Sequence, residues 1–262
     1  MNIVLKSSLI LTLVACTSCG SSKIDQQVVL NDTEPFKVSM SKVKNATPQI
    51  LVFTKTAGYR HKSIDKGVET LKELGVLHNF GITQTEDSLA FSTANLKKYQ
   101  LVLFLSTTGD VLGSDQQKVF EKYIADGGSF LGVHAATDTE YEWPWYNKLV
   151  GAYFESHPEQ QEAVLTVSMP NHQSTAHLDS TWTHFDEWYN FKNLNPEVQV
   201  LLKLDERSYV GGKNGDQHPI AWFHEFGGGR SFYTGLGHTV EAYDDPDFRQ
   251  HLLGGILWCL KK

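Results

Sequence analysis

The chain has 262 residues, with 23 Lys and Arg against 30 Asp and Glu, a formal charge of −7 and 40 % hydrophobic side chains. That is an ordinary globular composition with enough apolar material for a sizeable core. The absence of a basic stripe excludes nucleic acid as an expected partner, and three cysteines are too few for a disulfide framework.

The N-terminus reads as an export signal. Lys6 supplies a positive charge, and Ser8-Leu9-Ile10-Leu11-Thr12-Leu13-Val14 is an apolar run about half as long as a membrane span. It ends in Leu13-Val14-Ala15-Cys16, which matches the bacterial lipobox. The expectation is a lipoprotein signal over residues 1–15, with acylation of Cys16. An ordinary secretory signal cleaved near Ala15, or a buried strand, are the alternatives. Two or three acyl chains on one residue anchor stably. The chain is therefore expected on a bacterial membrane, facing the periplasm or the cell surface. Residues 16–48, which include Cys19, are polar and aperiodic and read as a flexible tether. Residues 49–262 form the folded domain.

Within that domain, Ile50-Leu51-Val52-Phe53-Thr54 is a continuous apolar run, expected of a strand covered on both faces. A helix pattern follows from Ser63 through Ile64, Val68, Leu71 and Leu74, with Gly75 as its stop. A second strand is expected within residues 79–85 and a short helix near Ser92–Leu96. Leu101–Leu105 is another buried strand. Ser114 is the expected N-cap of a helix through Val119, Phe120, Tyr123 and Ile124, and Ser129–Val133 is a third apolar strand. This alternation predicts an α/β fold with a doubly wound, mostly parallel sheet. Residues 143–215 break the rhythm and read as an inserted, partly antiparallel segment with strands at Ala163–Val167 and Val198–Leu204. The rhythm resumes with Pro219–His224, a Gly227-Gly228-Gly229 turn and a strand over Arg230–Thr234. Asp245 as N-cap and Pro246 at the first helical position start a terminal helix. This also explains the acidic Asp244-Asp245-Pro246-Asp247 better than calcium binding does. Cys259 lies on the apolar part of that helix and reads as a core thiol.

Ligands of such sheets bind beyond the carboxyl ends of the strands. The first strand is followed by Tyr59, Arg60 and His61, the Leu101 strand by Thr107, Thr108 and Asp110, the Ser129 strand by His134 and Asp138, and the Ser231 strand by His238 and Glu241. His134, in Gly132-Val133-His134-Ala135-Ala136, has the layout of a nucleophile elbow with His in place of Ser or Cys. A core His bonded to backbone is the alternative. His238 ends a later strand in the same way, and Glu241 could orient it. His61 precedes a helix N-terminus, whose dipole favours neutral imidazole. His157 and the run Asp186-Glu187-Trp188-Tyr189 fit a sugar site, or an exposed turn. Eleven histidines form no His-Glu-x-x-His motif, so a divalent, zinc-like site would have to be assembled from distant residues such as His61, His134 and His238. Gly235-x-Gly237 lacks the third glycine of a dinucleotide fingerprint, so no nucleotide is expected.

Taken together, Gly58-Tyr59-Arg60-His61, Gly132-Val133-His134-Ala135, Glu155-Ser156-His157-Pro158, Asp186-Glu187-Trp188-Tyr189, Pro219-Ile220-Ala221-Trp222 and Gly237-His238 resemble the ThuA-like proteins of trehalose and related sugar utilisation, over about residues 49–261. The resemblance implies a class I glutamine amidotransferase-like (flavodoxin-like) fold with His134 where those enzymes carry their catalytic Cys, and His238 near the position of their His. Thioester chemistry is excluded by residue type. It also implies a role in carbohydrate catabolism beside sugar oxidoreductases, on oxidised (keto) glycosides. The leading expectation is an enzyme using His134 and His238, with Glu241, as acid and base on a keto-sugar or keto-glycoside by isomerisation, elimination or hydrolysis. Tyr59, Arg60, His157, Asp186, Glu187 and Trp188 would hold substrate. The alternative is a non-catalytic sugar-binding lipoprotein.

Overall fold

The computed structural model describes residues 46–261. Cys16, the signal and the tether up to residue 45 lie outside the described residues. The elements run β1 (Gln49–Phe53), α1 (Ile64–His78), β2 (Gly81–Thr85), α2 (Thr93–Leu96), β3 (Leu101–Leu105), α3 (Ser114–Ala125), β4 (Ser129–Val133), α4 (Pro144–Val150), β5 (Tyr153–Ser156), β6 (Gln161–Val167), β7 (Thr181–Asp186), β8 (Asn190–Lys192), β9 (Gln199–Leu204), β10 (Pro219–Phe226), β11 (Gly229–Thr234) and α5 (Pro246–Cys259).

Among the described residues, nine strands form one sheet in the order β2-β1-β3-β4-β11-β10-β9-β6-β7. The first five are parallel. The last four join antiparallel and come from the inserted segment and the β10–β11 hairpin. The apolar runs β1, β3 and β4 are buried almost throughout because helices cover both faces of the parallel half. Val133 pairs with Leu105 on one side and Thr234 on the other. The carboxyl ends of β3, β4 and β11 therefore finish level, and Ser106, His134 and Gly235 emerge at one edge.

Several boundaries differ from the sequence reading. α1 continues past Gly75 to His78 and is capped by Asn79 in the left-handed region, φ 59°. Gly75 stands inside the helix because a Cβ there would lie 2.6 Å from the Phe80 carbonyl. Ser114 is the first helical residue, with Gly113 as N-cap. Asp245 caps α5 as expected, its side chain accepting from Asp247 N and Phe248 N. The sequence reading missed β7. Its alternation is regular, but Trp182, His184 and Asp186 face inward, so polar residues occupy the buried face.

Candidate functional site

β4 delivers His134 through a strained elbow. The residue has φ 49° at the start of a short 3-10 turn, His134–Thr137, a conformation that costs a non-glycine residue about 1–3 kcal/mol. Neighbouring contacts hold it there. Tyr233 Oη donates to the His134 carbonyl at 2.8 Å, and His134 Nδ1 donates to the Gly235 carbonyl at 2.9 Å. Gly132 leaves room for the turn, since a Cβ there would meet Ala136 Cβ at 2.9 Å. With Nδ1 donating to that carbonyl, Nε2 faces His238 Nδ1 and Glu187 Oε2.

The turn after β11 is fixed from the antiparallel side. Asp186, at the end of β7 and fully buried, accepts from Gly237 N at 2.7 Å, His238 N at 3.0 Å and Glu187 N at 2.9 Å. One carboxylate thus ties the His238 loop to the strand end that carries Glu187. His61 comes from the β1–α1 loop, with its ring edge-on to those of His134 and His238 at 4.8 and 5.0 Å between centroids.

His61, His134, Glu187 and His238 each offer one ligand atom within 4.8 Å of every other. His134 Nε2 lies 3.1 Å from His238 Nδ1 and 3.4 Å from Glu187 Oε2, and His238 Nδ1 lies 3.0 Å from Glu187 Oε2. A tetrahedral cation with ligands near 2.1 Å needs ligand–ligand edges of about 3.4 Å. Burial, then the neighbouring His134 and His238, push His61 down to about 2. Burial works to raise Glu187, but hydrogen bonds and charge from His134 and His238 override it and hold the carboxyl well below the usual carboxylate range. A neutral His61 and an ionised Glu187 are in the protonation states a cation requires. His61 Nδ1 is also buried with no hydrogen-bond partner, as expected of a group completed by a ligand. The donor set and geometry fit a divalent cation.

The cluster opens on a cleft of about 320 Å³ lined by Tyr59, Asp138, Phe154, His157, Gln160 and Tyr189 together with His61, Glu187 and His238. A comparable cleft of about 350 Å³ sits at the other end of the strands, around Tyr123 and Cys259. It holds none of the clustered imidazoles.

The family profile for ThuA, trehalose utilisation, matches residues 49–259. The chain belongs to the ThuA family. Solved structures agree with the fold. Among them, a protein described as ThuA-like from Bacteroides uniformis superposes with a TM-score of 0.70 at 22 % identity, over 82 % of this chain and 92 % of that one. Another ThuA-like protein, from Parabacteroides merdae, gives 0.68 at 21 % identity, over 81 % and 90 %. A protein described as a GMP synthase component, from Thermoplasma acidophilum, gives 0.51 at 15 % identity, over 82 % and 95 %. This last likeness shows the fold alone. No curated protein matches the chain.

In this ThuA-family chain the structure brings together His61, His134, His238, Glu187, His157 and Tyr59, and corrects four assignments. Glu241 is exposed, and the carboxylate at His238 is that of Glu187. Arg60 turns to Glu86, 2.8 Å away, and does not line the cleft. Trp188 is completely buried, its indole N–H donating to the Gln161 carbonyl, so no sugar ring can stack on it. Asp186 is consumed by backbone N–H groups and acts behind the site. The sequence reading named Tyr189 within its sugar-site run but did not single out Gln160 or Phe154 as cleft residues. Their side chains arrive from the insertion, whose path no periodicity encodes.

Proposed function

We propose that this chain is an exported, lipid-anchored enzyme of carbohydrate catabolism that acts on a keto-sugar or keto-glycoside with a divalent, zinc-like cation held by His61, His134, His238 and Glu187. The observation that carries the proposal is the set of three imidazoles and one carboxylate whose ligand atoms lie within 4.8 Å of one another at a cleft wall. The family profile supports sugar utilisation, and the lipobox at Cys16 supports export. The cation would supply Lewis-acid polarisation of a substrate carbonyl.

The chain's own residues supply the rest. With His134 and His238 engaged as ligands, proton abstraction falls to His157. Its Nδ1 lies 2.9 Å from the Pro158 carbonyl and 3.2 Å from Glu187 Oε1, which fixes the ring and turns Nε2 to the cleft as a base. A C–H next to a keto group is acidic enough for such a base. Gln160 meets His238 Nε2 at 2.8 Å. Its amide nitrogen donates to that ring nitrogen and fixes the orientation of the imidazole. Tyr59 and Phe154 offer aromatic faces to a sugar.

Elemental analysis of the purified chain, with turnover of 3-keto-glucosides, tests the reading. About one divalent ion per chain is expected, with His134→Ala losing both ion and turnover. Sugar binding without ion or turnover would instead establish the non-catalytic binder.

A further inference from the structure

Two carboxylates line the cleft, Glu187 and Asp138, and their surroundings separate them. Glu187 lies among His134, His157 and His238 and stays ionised. Asp138 is held differently. Its side-chain partner is the Tyr141 hydroxyl, which donates to Oδ1 at 2.6 Å and lies 3.2 Å from the Phe154 carbonyl. Burial raises the Asp138 carboxyl above its ordinary range, opposed in part by the Tyr141 hydrogen bond and by the charges of His134, Lys192 and His157. Lys192 itself sits 5.0 Å over the Tyr141 ring. Carboxyl groups driven apart by their environments are suited to opposite acid and base roles.

Placement agrees. Asp138 closes the 3-10 turn that begins at His134, so one turn delivers a cluster imidazole and a carboxyl to the same cleft. Its backbone is held on both sides, the N–H donating to Ala135 O and the carbonyl accepting from Gly109 N, each at 2.8 Å.

Resting on the function proposed above, we propose that Asp138 is the general acid of the cleft, giving its proton to the departing substrate oxygen while the Tyr141 hydroxyl positions Oδ1. In elimination from a keto-glycoside, the acidic C–H proton passes to His157 Nε2 and its electron pair forms the C=C bond. The C–O pair leaves with the aglycone oxygen, which takes the Asp138 proton. The products are an unsaturated keto-sugar and an alcohol. The His157 proton returns to Asp138 through water, and no oxidant or reductant is consumed.

Two probes with different leaving groups test this, methyl 3-keto-β-glucoside and 4-nitrophenyl 3-keto-β-glucoside, with the purified full chain. Asp138→Asn is expected to lower kcat about 10²–10⁴-fold on the methyl glycoside. The loss on the nitrophenyl glycoside should be under about tenfold, because nitrophenolate departs without a proton. Equal losses on both, or none on the methyl glycoside, overturn the assignment. Wild-type protein inert on both probes sinks the enzyme reading itself, and this assignment with it. Tyr141→Phe supplies a variant that keeps the carboxyl. A general acid loses activity as pH rises through its pKa, and the Tyr141 bond favours the carboxylate form. Losing that bond should move the alkaline limb of kcat/KM to higher pH at unchanged metal content, and an unmoved limb counts against the role.

Discussion

At the residue scale, the site is a matter of which carboxylate meets the imidazoles. Glu241 is three residues from His238 in sequence, yet it is exposed; Glu187, from the end of a distant strand, lies 3.0 Å from His238 Nδ1. The two should respond differently to the same change. Glu187→Gln removes the only negative charge among the four clustered groups, and metal affinity should fall by about 10-fold or more. Glu241→Gln should leave metal content and turnover unchanged within about twofold, as for surface changes generally. Metal titration of both variants decides it, and equal losses would point back to Glu241. Elbow logic was legible at this scale: His134 between small residues at a strand end could be read from the sequence. The burial of Trp188 could not, because a Trp beside paired acids reads alike as a sugar platform or as core.

Among the elements, those with a strong local signal came through. The apolar β1, β3 and β4 and the Asp-Pro start of α5 are encoded by runs of a few residues. Asp245 Oδ1 accepts from Asp247 N at 2.8 Å and Phe248 N at 3.4 Å, and Oδ2 lies 3.0 Å from His184 Nδ1. Asp245→Ala should cost about 1 kcal/mol of unfolding free energy, with Asp245→Asn recovering most of the cap. Chemical denaturation measures both, and an unaffected Ala variant would show that α5 holds by packing alone. β7 shows the converse case. Its inward Asp186 and His184 look like surface residues, and only the neighbouring Gly237 and His238 N–H groups explain why a carboxylate belongs there.

For the whole molecule, buried histidines set the acid limit. Complete burial in α5 pushes His251 down to about 3, even though its Nδ1 donates to the Ser174 carbonyl. Unfolded, the same ring titrates near 6.5. Between those values the unfolded chain binds a proton that the folded chain refuses, so stability rises with pH across that window and falls on acidification below about 6.5. From pH 8 to pH 5 this one residue accounts for about 2 kcal/mol. Urea unfolding at several pH values should show that loss in wild type and a flatter slope in His251→Asn. Equal slopes would mean the ring is not excluded from protonation.

The amino-acid sequence determined the layered α/β architecture, the edge where polar groups gather and the ThuA resemblance, because apolar runs, caps and short motifs act over a few neighbouring residues. Tertiary structure alone decided which of those polar groups meet. His61, His134, Glu187 and His238 arrive from four separate segments, and their convergence depends on strand order, on register and on a buried carboxylate tying two loops together. Such distances are set by the packing of the whole sheet, and no local pattern carries them.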